Sequence, residues 1–408
     1  MLNRLSAAPM RACAFLSLAV LSASSSFAQD GPRQLALAAS VPQLSEVVVT
    51  ATRTEQPLSD VLADVTLIDR EQIERSGAIT VSDLLARQPG LELSRSGGPG
   101  TATGLFLRGA ETRFTAVYID GVRVDSQSTG GAPWEAMALG QVERIEIVRG
   151  PAAAVYGSDA VAGVIQIFTR QGEGPFTPYV GIGAGNRRTG TLEAGFSGKH
   201  DVVDYSLGMQ RDVSRGYDSR PGANPDLDGY RQTAASGRVG VQFSDAHRLD
   251  LTGMNRLATL GATWSAQWAR QYATRLSVSE SNQRYETLPS PYLSKTRLRN
   301  ILFSNQWREG AHTLTAALER REDHLVNDPI DRGRHQDALA LGYGYVAGVH
   351  TLQLNLRHDR DSEFGGQTTG GAAYGYSFAP GWRATVAAGT AFRVPTLYQR
   401  FSEYGQAG

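Results

Sequence analysis

The most chemically suggestive part of the sequence is an acidic loop. Four oxygen-bearing side chains lie close together in it: Asp218, Asn224, Asp226 and Asp228. Hard oxygen ligands at this density suit Ca²⁺. The spacing resembles the start of an EF-hand loop, but Pro225 and the Ala235 at the position of the closing glutamate argue against that fold. A calcium site and a solvated acidic loop are therefore the two interpretations.

No common catalytic motif accompanies this loop. The patterns GxSxG, HExxH and GxxxxGK[ST] are all missing from the sequence. We therefore expect the protein not to be an enzyme. Because no ATP site is recognisable, any energy-requiring process would have to draw on a partner protein.

Composition excludes further classes. The 408 residues contain 40 basic and 40 acidic side chains, so there is no basic surplus to bind nucleic acid. Cys13 is the only cysteine, which excludes a disulfide framework, a cysteine-ligated zinc site and an iron–sulfur cluster. The 45 glycines favour tight turns and strands over long helices.

The N-terminus has the parts of a secretory signal peptide in the right order. Arg4 and Arg11 supply the positive charge, residues 12–23 are apolar or small, and Ser26-Phe27-Ala28 is typical of a cleavage site. The alternative is a first buried helix. We expect export and cleavage after Ala28, which would also remove Cys13.

Residues 57–172 have the pattern of a compact α+β unit. A helix is predicted over 69–75, ending at Gly77, and a second over 81–87, capped by Thr80. The predicted strands cover Leu105–Arg108, Ala116–Ile119, Val142–Val148 and Val164–Thr169, with a turn at Asp120-Gly121.

After Gly174-Pro175 apolar residues recur with a period of two. Val203, Tyr205, Leu207 and Met209 form one such series. Short turns are expected to alternate with long polar loops, such as 211–231 and 322–336. This pattern is typical of a transmembrane β-barrel, but a soluble β-sandwich shows similar alternation. The secretory signal and the unequal loops favour the membrane.

Several segments, taken in order, resemble the TonB-dependent outer-membrane receptors. The first, which resembles the family's TonB box, is Ser45-Glu46-Val47-Val48-Val49-Thr50-Ala51. Later ones are Leu107-Arg108-Gly109, residues 118–122, residues 142–151 and residues 154–160. Each alone is a weak match, but they follow in the family's order.

The resemblance implies a transmembrane antiparallel β-barrel with an N-terminal α+β plug domain. The expected domains are a signal peptide over 1–28, a flexible periplasmic segment over 29–56 with the TonB box at 45–51, a plug over 57–172, and the N-terminal part of the barrel over 176–408. The family's barrel closes with about 22 strands. Residues 176–408 allow only about a dozen, so an incomplete barrel is expected.

The same resemblance implies location in the outer membrane, in contact with its lipid, and TonB with its energising inner-membrane complex as the partner. The β-branched residues of 45–51 suit pairing of this segment with a strand of TonB. The alternative for the same residues is an edge strand of the plug. A passive porin or structural barrel is the competing class, and the TonB box and plug count against it.

Within the family the chain is most similar to the cobalamin transporters, so active transport of cobalamin is expected. A ferric siderophore or haem receptor is the alternative. Five residues are implied as substrate-binding: Ala102, Gly104, Glu111, Thr129 and Gly130. The alternative for these residues is that they belong to plain glycine-rich turns. Calcium bound by Asp218, Asn224, Asp226 and Asp228 would order a substrate loop.

Plug charges are expected to pair with charges inside the barrel. The residues concerned are Arg108, Glu143, Arg144, Glu146 and Arg149. A solvated face is the alternative.

Overall fold

The structure is a computed structural model that describes residues 48–49, 53, 56–219, 222, 227–287 and 292–405. The predicted signal peptide and cleavage site lie outside these residues. Among the described helices, none has the length and apolar character needed to cross a membrane.

The N-terminal unit is built from short strands and helices. In chain order they are β1 (Val48–Val49), β2 (Gln56–Pro57), β3 (Asp64–Ile68), α1 (Arg70–Ser76), α2 (Val81–Leu85), β4 (Leu91–Arg95), β5 (Thr103–Leu107), β6 (Thr115–Ile119), β7 (Val122–Arg123), β8 (Val142–Arg149), α3 (Ala153–Tyr156) and β9 (Gly163–Thr169). Four 3₁₀ turns cover Leu58–Asp60, Thr112–Phe114, Trp134–Ala136 and Leu139–Gln141.

Local signals account for both predicted helices. The Asp69 side chain accepts a hydrogen bond from the Gln72 backbone amide at 2.8 Å, and Gly77 ends α1 in the left-handed conformation with φ 62°. Thr80 caps α2 as predicted, but α2 ends at Leu85 rather than at residue 87.

A five-stranded sheet holds the core of this unit. Its order is β3-β8-β9-β6-β7, with β6 and β9 parallel and the other neighbours antiparallel. Strands β4 and β5 form a separate hairpin. Large apolar side chains that are fully buried fill the space between sheet, hairpin and helices: Leu85, Leu105, Leu107, Ile145, Ile147 and Ile165.

Thirteen antiparallel strands follow, each paired with the next in chain order. They are β10 (Thr177–Gly185), β11 (Thr189–His200), β12 (Val203–Ser214), β13 (Tyr230–Ser244), β14 (His247–Met254), β15 (Thr259–Ala269), β16 (Tyr272–Thr287), β17 (Tyr292–Glu309), β18 (His312–Asn327), β19 (Ile330–Ala347), β20 (His350–Asp361), β21 (Gly365–Ala379) and β22 (Trp382–Gly389). A short helix, α4 (Leu397–Phe401), comes last.

This sheet wraps around the N-terminal unit, and its two faces differ. On β12, Leu207 and Met209 point outward and are half exposed, whereas Gln210 and Asp212 point inward and are buried. The period of two predicted from the sequence is confirmed, with apolar side chains outside and polar ones against the plug.

The two ends of the wall differ as well. Six connections at one end, which we call the turn end, have two residues each: 201–202, 245–246, 270–271, 310–311, 348–349 and 380–381. The longest connection, 215–229, lies at the opposite end, which we call the loop end.

One predicted loop is wrong. Residues 322–336 form the ends of β18 and β19, joined by only Asp328-Pro329. Along these strands the charged side chains point alternately into the wall's inner face and out of its outer face. Arg321 and Arg334 point inward and are buried with Asp323, while Arg320 and Asp337 pair on the outer face at 3.2 Å. Charge that is paired on both faces is compatible with a strand.

Candidate functional site

A cavity of about 730 Å³ opens between plug and wall at the loop end. Plug residues on one side and wall residues on the other line it: Ser96, Gly100, Thr101, Ala102, Pro133, Glu135, Ala136, Ser219, Asp228, Arg256, Leu257, Gln283, Arg284, Tyr285 and Glu286. Its volume lies within the several hundred Å³ that are common for small-molecule sites.

The charges of this cavity nearly cancel. Its described lining carries two arginines, Arg256 and Arg284, against three acidic residues. Arg284 is paired with Glu286 at 2.8 Å. Burial raises the pKa of Glu135, and the nearby charge of Arg256 only partly offsets this. The lining therefore offers no positive surplus to an anion.

The structure scatters the predicted substrate residues. Ala102 lines the cavity, but Gly104 lies within β5 beside Phe106. Glu111 pairs with Arg113, and Arg113 also packs against Gly130. The Thr129 amide donates to Ser126 Oγ at 3.3 Å. Among the five predicted substrate-binding residues, Ala102 is thus the one in the described lining of this cavity, which also includes Asp228 of the predicted calcium site.

The acidic loop lies over the plug. Tyr217 packs against Gly98 and Tyr230 against Gly100. The Asp228 carboxylate accepts hydrogen bonds from the Ser219 amide at 2.9 Å and from its hydroxyl. Asn224 and Asp226 lie outside the described residues. Within the described part of the chain, no three His, Cys, Asp or Glu side chains come together as a metal site. Calcium therefore stays a prediction, based on the all-oxygen chemistry of the loop.

Two residues of the predicted TonB box are described. Val48–Val49 forms β1, which pairs with β2 through Val48↔Pro57 and Val49↔Gln56. Ser45, Glu46, Val47, Thr50 and Ala51 lie outside the described residues. Among the described residues, two pairs join the segment to the start of the plug, and these would have to be exchanged for pairing with another strand.

Just after this segment, Arg53 binds the wall. Its guanidinium makes two hydrogen bonds to the Glu319 carboxylate, at 2.8 and 3.2 Å. Arg357 binds the same carboxylate at 2.8 Å and is itself paired with Asp359 at 2.7 Å. Arg53 also donates to the backbone carbonyl of Tyr156 in α3 at 3.2 Å. Arg53 therefore connects the segment to the plug and to β18, and the shared Glu319 carboxylate links this contact to β20.

A second buried ionic cluster centres on Asp159 of the plug. Three arginines surround its carboxylate: Arg123 of the plug, Arg393 at 3.0 Å and Arg321 of β18 at 3.4 Å. Burial raises the pKa of Asp159, but the three guanidinium groups lower it more, so the pKa lies below its usual range.

The plug charges expected to meet the wall mostly do not. Arg149 binds Asp64 at 3.3 Å, Arg108 binds Asp64 at 2.5 Å, and Arg144 binds Glu146 at 3.3 Å, all within the plug. The prediction is wrong for these residues, because each finds a partner close by in the plug. Arg149 lies directly opposite Asp64 on the neighbouring strands β8 and β3. Arg144 and Glu146 are two residues apart on β8 and therefore share a face.

Sequence reasoning missed the residues that do connect plug and wall, and most of the cavity lining. Arg53 and Glu319 are 266 positions apart, and no local pattern marks them as partners. Gln283–Glu286 reads as an ordinary strand end. The available signal for Arg53 was its place directly behind the predicted TonB box.

Comparison with known proteins gives a consistent result. Residues 57–164 match the TonB-dependent Receptor Plug Domain. The chain is 30% identical to the vitamin B12 transporter BtuB of Vibrio cholerae serotype O1 over 397 residues, covering 88% of this chain and 64% of the transporter. A vitamin B12 transporter BtuB of Vibrio vulnificus is also 30% identical, covering 86% of this chain and 63% of the relative.

A solved structure shares the fold. The ferric enterobactin receptor PfeA of Pseudomonas aeruginosa, in a mutant form, superposes with a TM-score of 0.71 at 18% identity, covering 86% of this chain and 64% of that chain. The chain thus spans slightly under two thirds of the length of the relatives it matches. With this plug, this strand order and these relatives, the chain belongs to the TonB-dependent receptor family.

Proposed function

We propose that the protein imports cobalamin across the outer membrane with energy supplied through TonB. Barrels of this kind carry short turns on the periplasmic side and longer loops outside. The loop-end cavity then faces the medium, and β1 and Arg53 lie on the route of coupling to the periplasm. Similarity to vitamin B12 transporters supports the choice of ligand.

The charge balance of the loop-end cavity is the observation that carries this choice. A near-neutral ligand rich in amide groups, such as cobalamin, suits a lining with two arginines and three acidic residues. An anionic ferric siderophore would be attracted by a positive surplus, which the described lining lacks. Tyr285, half exposed in the cavity, offers an aromatic face to a broad planar ligand.

The coupling step follows from the contacts of the N-terminal segment. A TonB strand that pairs with 45–51 would compete with the two-residue β1–β2 pairing. Pulling on this segment would load Arg53, because Arg53 follows β1 by four residues and is bound to Glu319 of the wall. Release of Arg53 from Glu319 and from the Tyr156 carbonyl would free α3, which lines a second cavity of about 440 Å³ at the turn end through Ala154 and Val155.

Calcium is proposed as a support for ligand binding. Asp218, Asn224, Asp226 and Asp228 supply only oxygen ligands, which Ca²⁺ prefers. Their loop touches the plug at Gly98 and Gly100, beside the cavity. An ion bound there would hold the loop against the plug and so shape the ligand site.

Equilibrium binding to the purified protein tests the proposal. We expect cyanocobalamin to bind and ferric enterobactin not to compete. Tyr285→Ala should weaken cyanocobalamin binding several-fold, up to about ten-fold, since an aromatic contact is lost. Tyr376→Ala is the matched control, because this tyrosine lies on the outer face near the turn end. Tight binding of the ferric siderophore with no binding of cyanocobalamin would assign the site to the other ligand class.

A further inference from the structure

A row of basic side chains lies on the outer face of the wall, near the loop end. Lys295, Arg297 and Arg299 occupy alternate positions of β17, and all three are exposed. Alternate residues of a strand point the same way, about 7 Å apart. Together they form one continuous positive strip, which we call the basic row.

Part of this charge is uncompensated, since Glu280 serves both Arg299 and Arg297. Arg299 is paired with Glu280, and the nearby Arg320 is paired with Glu322 and Asp337 at 3.2 Å. Lys295 and Arg297 have no ion pair or hydrogen bond within the described part of the chain. Their cross-strand neighbours do not supply one, since Lys295 faces Arg284 and Val326, and Arg297 faces Asn282 and His324.

An apolar groove begins directly beneath the basic row. Side chains of β17 to β20 line it, with charged groups at its upper end: Ile301, Phe303, Leu318, Leu339, Arg320, Asp337 and His358. The groove measures about 420 Å³.

A second groove, of about 500 Å³, continues at the next outward positions of the same strands. Trp307, Leu314, Leu341 and Tyr343 line it, and the small Ala316 leaves room at its base. From Arg320 to Leu314 the two grooves follow roughly 20 Å of β18, at about 3.3 Å per residue. That length suits an extended acyl chain lying along the wall.

We propose that the basic row and the two grooves form a site for one lipid of the outer leaflet, held by a phosphorylated headgroup and an acyl chain. The loop end faces outward, so the row lies at the headgroup level of that leaflet. Basic side chains at a membrane surface attract anionic headgroups. The opposite end of the same strands carries Trp307, Tyr343 and Tyr345 instead, as expected of an aromatic girdle without headgroup selectivity.

Native mass spectrometry of the purified protein tests this site, with a phosphorylated glycolipid and a zwitterionic phospholipid as probes. The triple variant Lys295→Gln/Arg297→Gln/Arg299→Gln should retain the glycolipid at least about ten-fold less well, because three attractive charges are removed. The matched control Lys295→Arg/Arg297→Lys/Arg299→Lys keeps every charge and should retain it as the parent does. Heat-modifiable migration in gels shows that each variant is folded.

A groove-filling variant separates the lipid from its headgroup. Ala316→Trp should weaken retention of the intact glycolipid and leave binding of its deacylated, phosphorylated headgroup unchanged. The proposal is overturned if the glutamine variant retains the glycolipid like the parent, if the zwitterionic lipid binds equally well, or if the deacylated headgroup binds as tightly as the whole lipid.

Discussion

Glu319 holds two arginines at once, Arg53 behind the TonB segment and Arg357 of the wall. Removing one partner from a buried ion pair costs about 3–5 kcal/mol, because it leaves uncompensated charge. We predict that Glu319→Gln releases Arg53 and exposes residues 45–55 without ligand. Proteolysis of the N-terminal segment, followed over time, should become several-fold faster, as expected for loss of about 1 kcal/mol or more of protection.

Glu322→Gln is the matched control for this variant. Glu322 lies on the same strand, points outward and pairs with Arg320 while exposed, and such pairs contribute little. Equal proteolysis rates for Glu319→Gln and the parent would show that the Arg53 contact does not restrain the segment.

Asp159 gives a prediction about pH. Its pKa is lower in the folded protein than in the unfolded chain, so its contribution to stability is present above about pH 4 and is lost as the pH falls further. Asp159→Asn should reduce the free energy of unfolding by about 3 kcal/mol at neutral pH, since three arginines lose their shared carboxylate. Its φ of 81° is tolerated by asparagine, so the variant removes charge without backbone strain.

Chemical unfolding at several pH values measures this effect, with the exposed Asp201→Asn as control. The difference between parent and Asp159→Asn should shrink as the pH falls below about 4. A difference that is constant with pH would contradict the assignment of the effect to charge.

Strand β1 is one of the least firmly held of the described strands, because it is joined to β2 by two residue pairs. We predict that Val48→Pro abolishes ligand uptake but leaves ligand binding intact, because proline removes an amide donor that strand pairing with TonB needs. Val48→Ala keeps the amide and serves as control. Normal uptake by the proline variant would place the coupling segment elsewhere.

The acidic loop yields a prediction about calcium. Asp226→Ala/Asp228→Ala should weaken ligand binding in the presence of calcium by about ten-fold, a usual size for coupling between two sites. Titration of the ligand with and without a chelator measures it. Asp201→Ala/Asp245→Ala, at the turn end, is the control pair. If calcium has no effect on ligand affinity in the parent, the loop is a solvated one.

These elements show what sequence can predict. Helix α1 follows from neighbours in the chain, since Asp69 caps it and Gly77 ends it within a few residues. The charges of 322–336 predict a loop where the β18–β19 hairpin lies, because the partners of Arg321 and Arg334 are evident only when inward and outward faces are known. Arg53 and Glu319 could not be paired from sequence, since only the wrapped sheet brings them together.

At the scale of the whole molecule, the plug lies against the wall at two cavities, one near each end. The loop-end cavity contains Glu135 and Tyr285, and the turn-end cavity contains Arg53 and Ala154. Between them lies the buried ionic cluster around Asp159, which connects the plug to the wall. Transport in this account requires the plug to move relative to these contacts, and the Arg53 contact lies nearest to the segment that TonB would pull.

Uptake of radiolabelled cyanocobalamin tests the central claim most directly. The protein is expressed in a host that lacks its own cobalamin receptor, in parallel strains with and without TonB. We predict accumulation above the level of surface binding only when TonB is present, and binding alone when it is absent. Accumulation that is equal in both strains, or no cyanocobalamin uptake in either while a ferric siderophore is imported, would contradict the proposed function.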